Sequence, residues 1–120
     1  MQIHNLTPHP ITLYAADTPD RIDPEQYTPI DVIPVSEIYP PARMDTSVAL
    51  TAEESGSGFP VVVYGATALP EPETGVYYIV ALPVALAVQR PDLLTVGETV
   101  RNQTGTIIGA RGLQRARAAF

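Results

Sequence analysis

Three groups of residues in this chain have types and spacings that suit ligand chemistry. The first lies near the start, in Asn5-Leu6-Thr7-Pro8-His9-Pro10. Asn5, Thr7 and His9 bring an amide, a hydroxyl and an imidazole, and Pro8 and Pro10 stiffen the backbone between them. A stiff segment has little conformational freedom left to lose, which is what a pre-organised ligand wall requires. The same residues equally suit a strand-to-strand corner in which Asn5 and Thr7 bond to their own backbone. His4, just before, reads as surface or cross-strand packing.

The second group is arginine-based. Arg101 and Arg111 flank Asn102-Gln103-Thr104-Gly105, a segment with turn chemistry. Like charges across a hairpin are unfavourable unless an anion or a carboxylate lies between them. This pair is the best physical hint of an anion site, and Arg43 on the "ARM" strand is placed to join it. The third group is Arg90-Pro91-Asp92, at the end of an expected helix. A cation there is favourable by about 0.3–1 kcal/mol, and Asp92 has a plainer role in pairing with Arg90 to fix the exit turn. The expected site is therefore an anion pocket drawing on Asn5, Thr7, His9, Arg43, Arg90, Asp92, Arg101, Asn102 and Arg111. In it "NLTPHP" faces the C-terminal arginines, and Tyr39 or Tyr77 stacks on a base.

Other chemistries lack their residues. Cysteine is absent, which removes disulfides, thiolate metal sites and a cysteine nucleophile. The two histidines, His4 and His9, are separated by a proline and have no carboxylate spacing for a metal. "GSGFP" and "GARG" match no phosphate-binding loop, and no serine sits in a nucleophile motif. A single-histidine general base with an arginine clamp is the enzymatic alternative. The expectation is a non-enzymatic protein with no cofactor and no metal.

The positioning elements are short, because thirteen prolines divide the chain. Strands are expected over residues 2–6, 11–15, 29–35, 42–50, 61–66, 76–81 and 106–113, with 100–101 and 106–107 forming a hairpin. Residues 17–28 read as a solvated acidic loop, 51–58 ("TAEESGSG") as a hairpin tip and 69–75 as a turn. One helix is expected near 83–90, opened by Pro83 and ended by Pro91, with Leu82, Leu86 and Ala85 facing the sheet. The tail "QRARAAF" favours helix by composition. The fold class is α+β and mostly β: short antiparallel strands in a sheet or partial barrel with one short helix, over a single domain spanning residues 1–120.

All seven basic residues are arginine, and the net charge is −6. Residues 1–75 hold eleven of the thirteen acids and two arginines, a charge of −9, whereas 76–120 carry +3. Net acidity argues against duplex nucleic acid as a partner, although the C-terminal third has enough arginine for one small anion. The most apolar stretch, 76–88, contains Pro83 and is too short to span a membrane. The first residues lack the features of a signal peptide, so a cytoplasmic location is expected.

"NLTPHPI", "YPPARM" at 39–44, "GVYYIVALPVALAVQRPDL" at 75–93 and "VRNQTGTIIGARGL" at 100–113 together resemble a group of small proteins of bacteriophages, prophages and actinobacterial mobile elements that open with an Asn-Leu-Thr-Pro-His segment. The likeness touches both ends and the middle, over roughly half of the chain. Asn102 departs from it, since the group often has Asp there. The resemblance implies a genomic setting and no established activity. In that setting the anion pocket suggests a protein that binds, and so sequesters, a small anionic, nucleotide-like host signal to counter host defence. The alternative is a phage structural or host-protein-interaction module with no small-molecule ligand. Many short strand edges also suggest a homo-oligomer.

Overall fold

The computed structural model describes residues 1–67 and 69–115. The protein is α+β and mostly β, as its sequence leads one to expect. Two four-stranded sheets and a separate hairpin hold the strands, and none of them closes into a barrel. Of the seven strand pairings among the described residues, four are antiparallel and three are parallel.

The first sheet contains β1 (Gln2–Asn5), β6 (Val76–Ile79), β7 (Leu93–Val96) and β10 (Leu113–Gln114), in the order β1-β6-β7-β10. Its first three strands run parallel. A parallel step needs a crossover, and α2 (Leu82–Val88) supplies it between β6 and β7. Strands covered in this way read as unbroken apolar runs, which is why "VYYIV" shows no alternation. β7 is missing from the strands expected above, because its four residues sit between Pro91 and Gly97 and carry no turn signal of their own.

The second sheet contains β2 (Ile11–Leu13), β3 (Asp31–Ile33), β8 (Thr99–Arg101) and β9 (Ile107–Ala110), in the order β3-β2-β9-β8. β8 and β9 form the expected hairpin around residues 102–105. The single strand expected over 106–113 is divided. At Gly112, with φ of 143°, the chain leaves the second sheet and joins the first as β10. Of the tail expected to favour helix, Gln114 belongs to β10, and residues 116–120 lie outside the described residues.

Each sheet has its own core. Leu6, Tyr78, Val80, Val84, Ala85 and Leu93 pack between α2 and the first sheet. Tyr14, Ile22 and Val100, with Ile108 against them, form the core of the second. Ala85 of the helix faces the sheet as expected, but Leu82 and Leu86 do not. Val84 and Ala85 face inward, while Leu82 and Leu86 are 48% and 44% exposed. The reason is the tight connection: Ala81 caps the helix directly after β6, so the strand's exit direction fixes which face turns inward. The helix also ends at Val88, because Gln89 takes a left-handed conformation (φ 54°) ahead of Arg90-Pro91.

β4 (Arg43–Leu50) and β5 (Val61–Thr67) pair only with each other. Their connection, expected to be a bare loop, holds one helical turn, α1 (Ala52–Ser55), capped by Thr51 and closed by Gly56 in the left-handed region. Strands of this length extend about 25 Å. The molecule measures 59 × 35 × 28 Å with a radius of gyration of 17.6 Å, against about 13–14 Å for a compact chain of this size.

At Gly109 of β9 the sheet allows no side chain. A Cβ there would lie 2.6 Å from the Thr12 carbonyl oxygen and 2.7 Å from the Tyr14 ring. Gly109→Ala is expected to lower stability by about 1–3 kcal/mol, the usual cost of overpacking, as read by urea unfolding. Stability equal to the parent protein would contradict this packing.

Candidate functional site

The "NLTPHP" segment carries the chain from the first sheet to the second, between β1 and β2. Asn5 is buried, 1% exposed, and its amide is fully engaged. Its Nδ2 donates to the carbonyl oxygens of His9 (2.8 Å) and Ile33 (3.2 Å). Its Oδ1 accepts from the Thr7 backbone N–H at 2.9 Å and lies 2.6 Å from Thr7 Oγ1. The Thr7 hydroxyl also lies 2.9 Å from the His9 carbonyl oxygen, so its one proton is shared within the corner. The Asn5 carbonyl accepts from Ser36 N–H. Asn5 and Thr7 therefore hold a corner. His9 is exposed and lines a cleft of about 380 Å³ with Thr7, Thr12, Val96, Ile107 and Gly109.

Arg101 and Arg111 are not part of that cleft. They line a separate one with Asp20, Glu98 and Thr99. The hairpin register explains why they do not face each other. Arg101 pairs with Ile107, whereas the Arg111 N–H donates to the Glu98 carbonyl. Arg111 is held by two carboxylates, Asp20 and Glu98, each at 2.6 Å, and Nη1 donates to the Thr18 carbonyl at 2.9 Å. These hydrogen bonds, Glu98 first and Asp20 second, keep its pKa above the ordinary arginine value. The condition stated for the arginine pair is thus met by carboxylates of the protein itself. Arg101 Nη1 donates to the Gly105 carbonyl at 2.7 Å.

Asn102 builds the turn that follows. Its Oδ1 accepts from Thr104 N–H, Thr104 Oγ1 and Thr106 N–H at 2.8–3.0 Å. Only the oxygen is used, so Asn serves as well as Asp would. Arg43 opens β4 opposite Thr67, away from both clefts' lining residues.

Arg90 and Asp92 form a two-pronged pair, Nε to Oδ1 at 2.9 Å and Nη2 to Oδ2 at 2.5 Å. The Arg90 hydrogen bond holds the Asp92 carboxyl below its ordinary pKa, and the same bond raises that of Arg90. Nearby, His4 stacks on Tyr78 at 5.8 Å, and Tyr39 meets both rings edge-on. His4 is opposite Tyr78 in the β1–β6 register, so it is cross-strand packing. Burial raises the Tyr78 pKa, helped by Tyr39, Glu73 and Asp92. Tyr39 is used in this stack and does not border the His9 cleft.

The nine expected residues thus do not converge on one pocket: Thr7 and His9 line one cleft, and Arg101 and Arg111 line another. Asn5 with Thr7, Arg90 with Asp92, Arg111 with its two acids, and Asn102 in its turn each satisfy contacts inside the fold. Among the described residues no buried side-chain nitrogen or oxygen lacks a partner, and no group of His, Asp and Glu could hold a metal ion. No described helix is long and apolar enough to cross a membrane. Two features escaped the sequence: Arg21, placed beside Arg101 by a backbone bridge, and the exposed apolar face formed by Met44, Leu82 and Leu86. For the second, Leu82 and Leu86 one turn apart carried a signal, but it was consistent with the opposite helix face. The chain matches no family model, no curated protein and no solved structure.

Two outcomes follow from these contacts. Asn5→Ala removes both donors and the acceptor at the corner, and is expected to cost about 2–4 kcal/mol in urea unfolding; near-wild-type stability would contradict the corner role. Because the folded pKa of Asp92 is depressed, its contribution is present above the unfolded value of about 3.9 and is lost as pH falls through the folded one. The stability advantage of the wild type over Asp92→Asn should therefore shrink as pH falls below about 4. An advantage that grows with acid would contradict the pairing.

Proposed function

We propose that this chain is a non-enzymatic interaction module that associates with a second copy of itself through the β4–β5 arm and α2. One observation carries the reading: an apolar face left half-exposed between the hairpin and the helix. Met44 pairs with Ala66, and Val62 lies four residues before Ala66, so all three share one face of the hairpin. Met44 borders a groove with Pro83, Leu86 and Ala87 of the helix. Met44, Val62, Leu82 and Leu86 are 44–48% exposed. Together they leave roughly 300 Å² open, the lower end of the largest patch on a soluble monomer. A symmetric contact would draw on the hairpin edges as well as this face to reach the roughly 800 Å² per partner of a standard interface.

The hairpin itself argues for a second copy. A two-stranded sheet is marginal alone, and among the described residues no further strand pairs with either outer edge of this one. Two copies related by a two-fold axis cover both edge and face with one self-complementary contact. In the phage and prophage setting that the resemblance implies, such a module suits a structural or host-contact component.

A second reading is sequestration of a small anionic, nucleotide-like host signal. The cleft beside His9 favours it, since about 380 Å³ accommodates a small ligand. Protein purified from infected cells should then release a nucleotide on heating, and His9→Ala should abolish that release without changing the melting point. Absence of any released nucleotide counts against this reading.

For the first reading, sedimentation equilibrium of the wild type should give twice the chain mass. Met44→Glu with Leu86→Glu should weaken association by about 100-fold or more and leave far-UV circular dichroism unchanged. A wild type that is monomeric at high micromolar concentration, or a double variant that associates equally well, would falsify the arm interface.

A further inference from the structure

The loop read as a solvated acidic stretch adds one more link to the β8 edge. Arg21 and Arg101 form a parallel bridge. The Ile22 N–H donates to the Arg101 carbonyl at 2.8 Å, and the Arg101 N–H donates to the Asp20 carbonyl at 2.7 Å. These two bonds hold the arginines side by side. Their guanidinium groups then meet the same residue. Arg101 Nη1 donates to the Gly105 carbonyl, and Arg21 Nη2 lies 3.6 Å from the Cβ position of Gly105.

Among the described residues no ion pair joins Arg21 or Arg101 to a carboxylate. Asp20 and Glu98, which line a cleft with Arg101, make their ion pairs with Arg111, and Asp23 accepts from the Glu25 N–H with Oδ1. Two like charges are held together by backbone register at the surface of an acidic protein, an arrangement that opposes folding unless an anion joins it. The turn beneath them is rigid, because Asn102 Oδ1 pins Thr104 and Thr106. It is also open: no heavy atom other than Arg21 Nη2 approaches within 4 Å of the Gly105 Cβ position.

We propose that Arg21 and Arg101 form a two-guanidinium clamp over the Gly105 turn that binds one oxyanion group, a carboxylate or a phosphate. Planar guanidinium forks suit the paired oxygens of either group. Arg101 spends one of its five N–H groups on Gly105 and keeps the others for the ligand. The pair is exposed, so binding depends on ionic strength. The inference goes beyond the arm interface and uses none of its residues; it is also separate from the His9 cleft.

Thermal melts at low ionic strength with inorganic phosphate, citrate and ADP test it. At least one should raise the wild-type midpoint, and about 1 M chloride, where the Debye length is about 3 Å, should remove the rise. A larger rise with ADP than with citrate assigns the site to phosphate, and the reverse assigns it to carboxylate. Arg21→Gln should keep or raise the unliganded midpoint, by relieving repulsion, and weaken the apparent affinity at least tenfold. Arg21→Lys, which keeps the charge and loses the fork, should fall between the two and serves if the glutamine variant is unstable. His9→Ala and the Met44→Glu/Leu86→Glu double variant should respond as the wild type does, which separates failure of this site from failure of the arm. No rise with any of the three anions, or a rise unchanged in both Arg21 variants, would overturn the clamp.

Discussion

The Asn5 amide is where the two sheets are tied together. The chain leaves β1, turns through two prolines and enters β2 of the other sheet, and the buried start of this turn, at Asn5 and Leu6, strands backbone polar groups unless something satisfies them. Asn5 does so from a single side chain, with two donors on the carbonyls of His9 and Ile33 and one acceptor for Thr7. Ile33 belongs to β3, so the same amide also fixes the far strand of the second sheet. Leu6, next along, is buried in the first core and exchanges backbone bonds with Ile79 and Ala42. The relative placement of both cores follows from this corner.

From the corner the first sheet proceeds by a parallel crossover, and that choice exposes the apolar face. A seven-residue helix joined to β6 by only Val80 and Ala81 has little freedom to rotate. It turns Val84 and Ala85 inward and leaves Leu82 and Leu86 beside Met44. The arm packs on the helix and pairs with no other strand. A hairpin edge and a half-exposed leucine face are thus left on one side, whereas the arginines Arg90 and Arg111 are spent within the chain.

Charge is distributed by the same logic. Arg111 is only 13% exposed and is held by Asp20 and Glu98, both far more exposed. Arg90 is clamped by Asp92. The acidic N-terminal part and the arginine-rich C-terminal part therefore complement each other at Arg111, through Asp20. Arg21 and Arg101 are the exception: a backbone bridge sets them side by side, and among the described residues no ion pair joins either to a carboxylate.

Several features were legible in the sequence because they depend on local chemistry. Prolines bounded the strands and the helix, Asn102–Gly105 specified the β8–β9 turn, and Asn5 and Thr7 beside two prolines already suggested a corner. His4 as cross-strand packing and Arg90 with Asp92 as a local pair were equally readable, being contacts between near neighbours or simple strand partners. Tertiary structure alone decided the rest. Whether Arg101 faces Arg111 is a matter of register, and a shift of one residue changes which side chains share a face. The inward face of α2 was set by how β6 delivers the chain, which periodicity over seven residues cannot encode. The meeting of Arg21 with Arg101 joins residues eighty apart, and no local propensity reports on a contact made by two backbones that touch only once the sheets have formed.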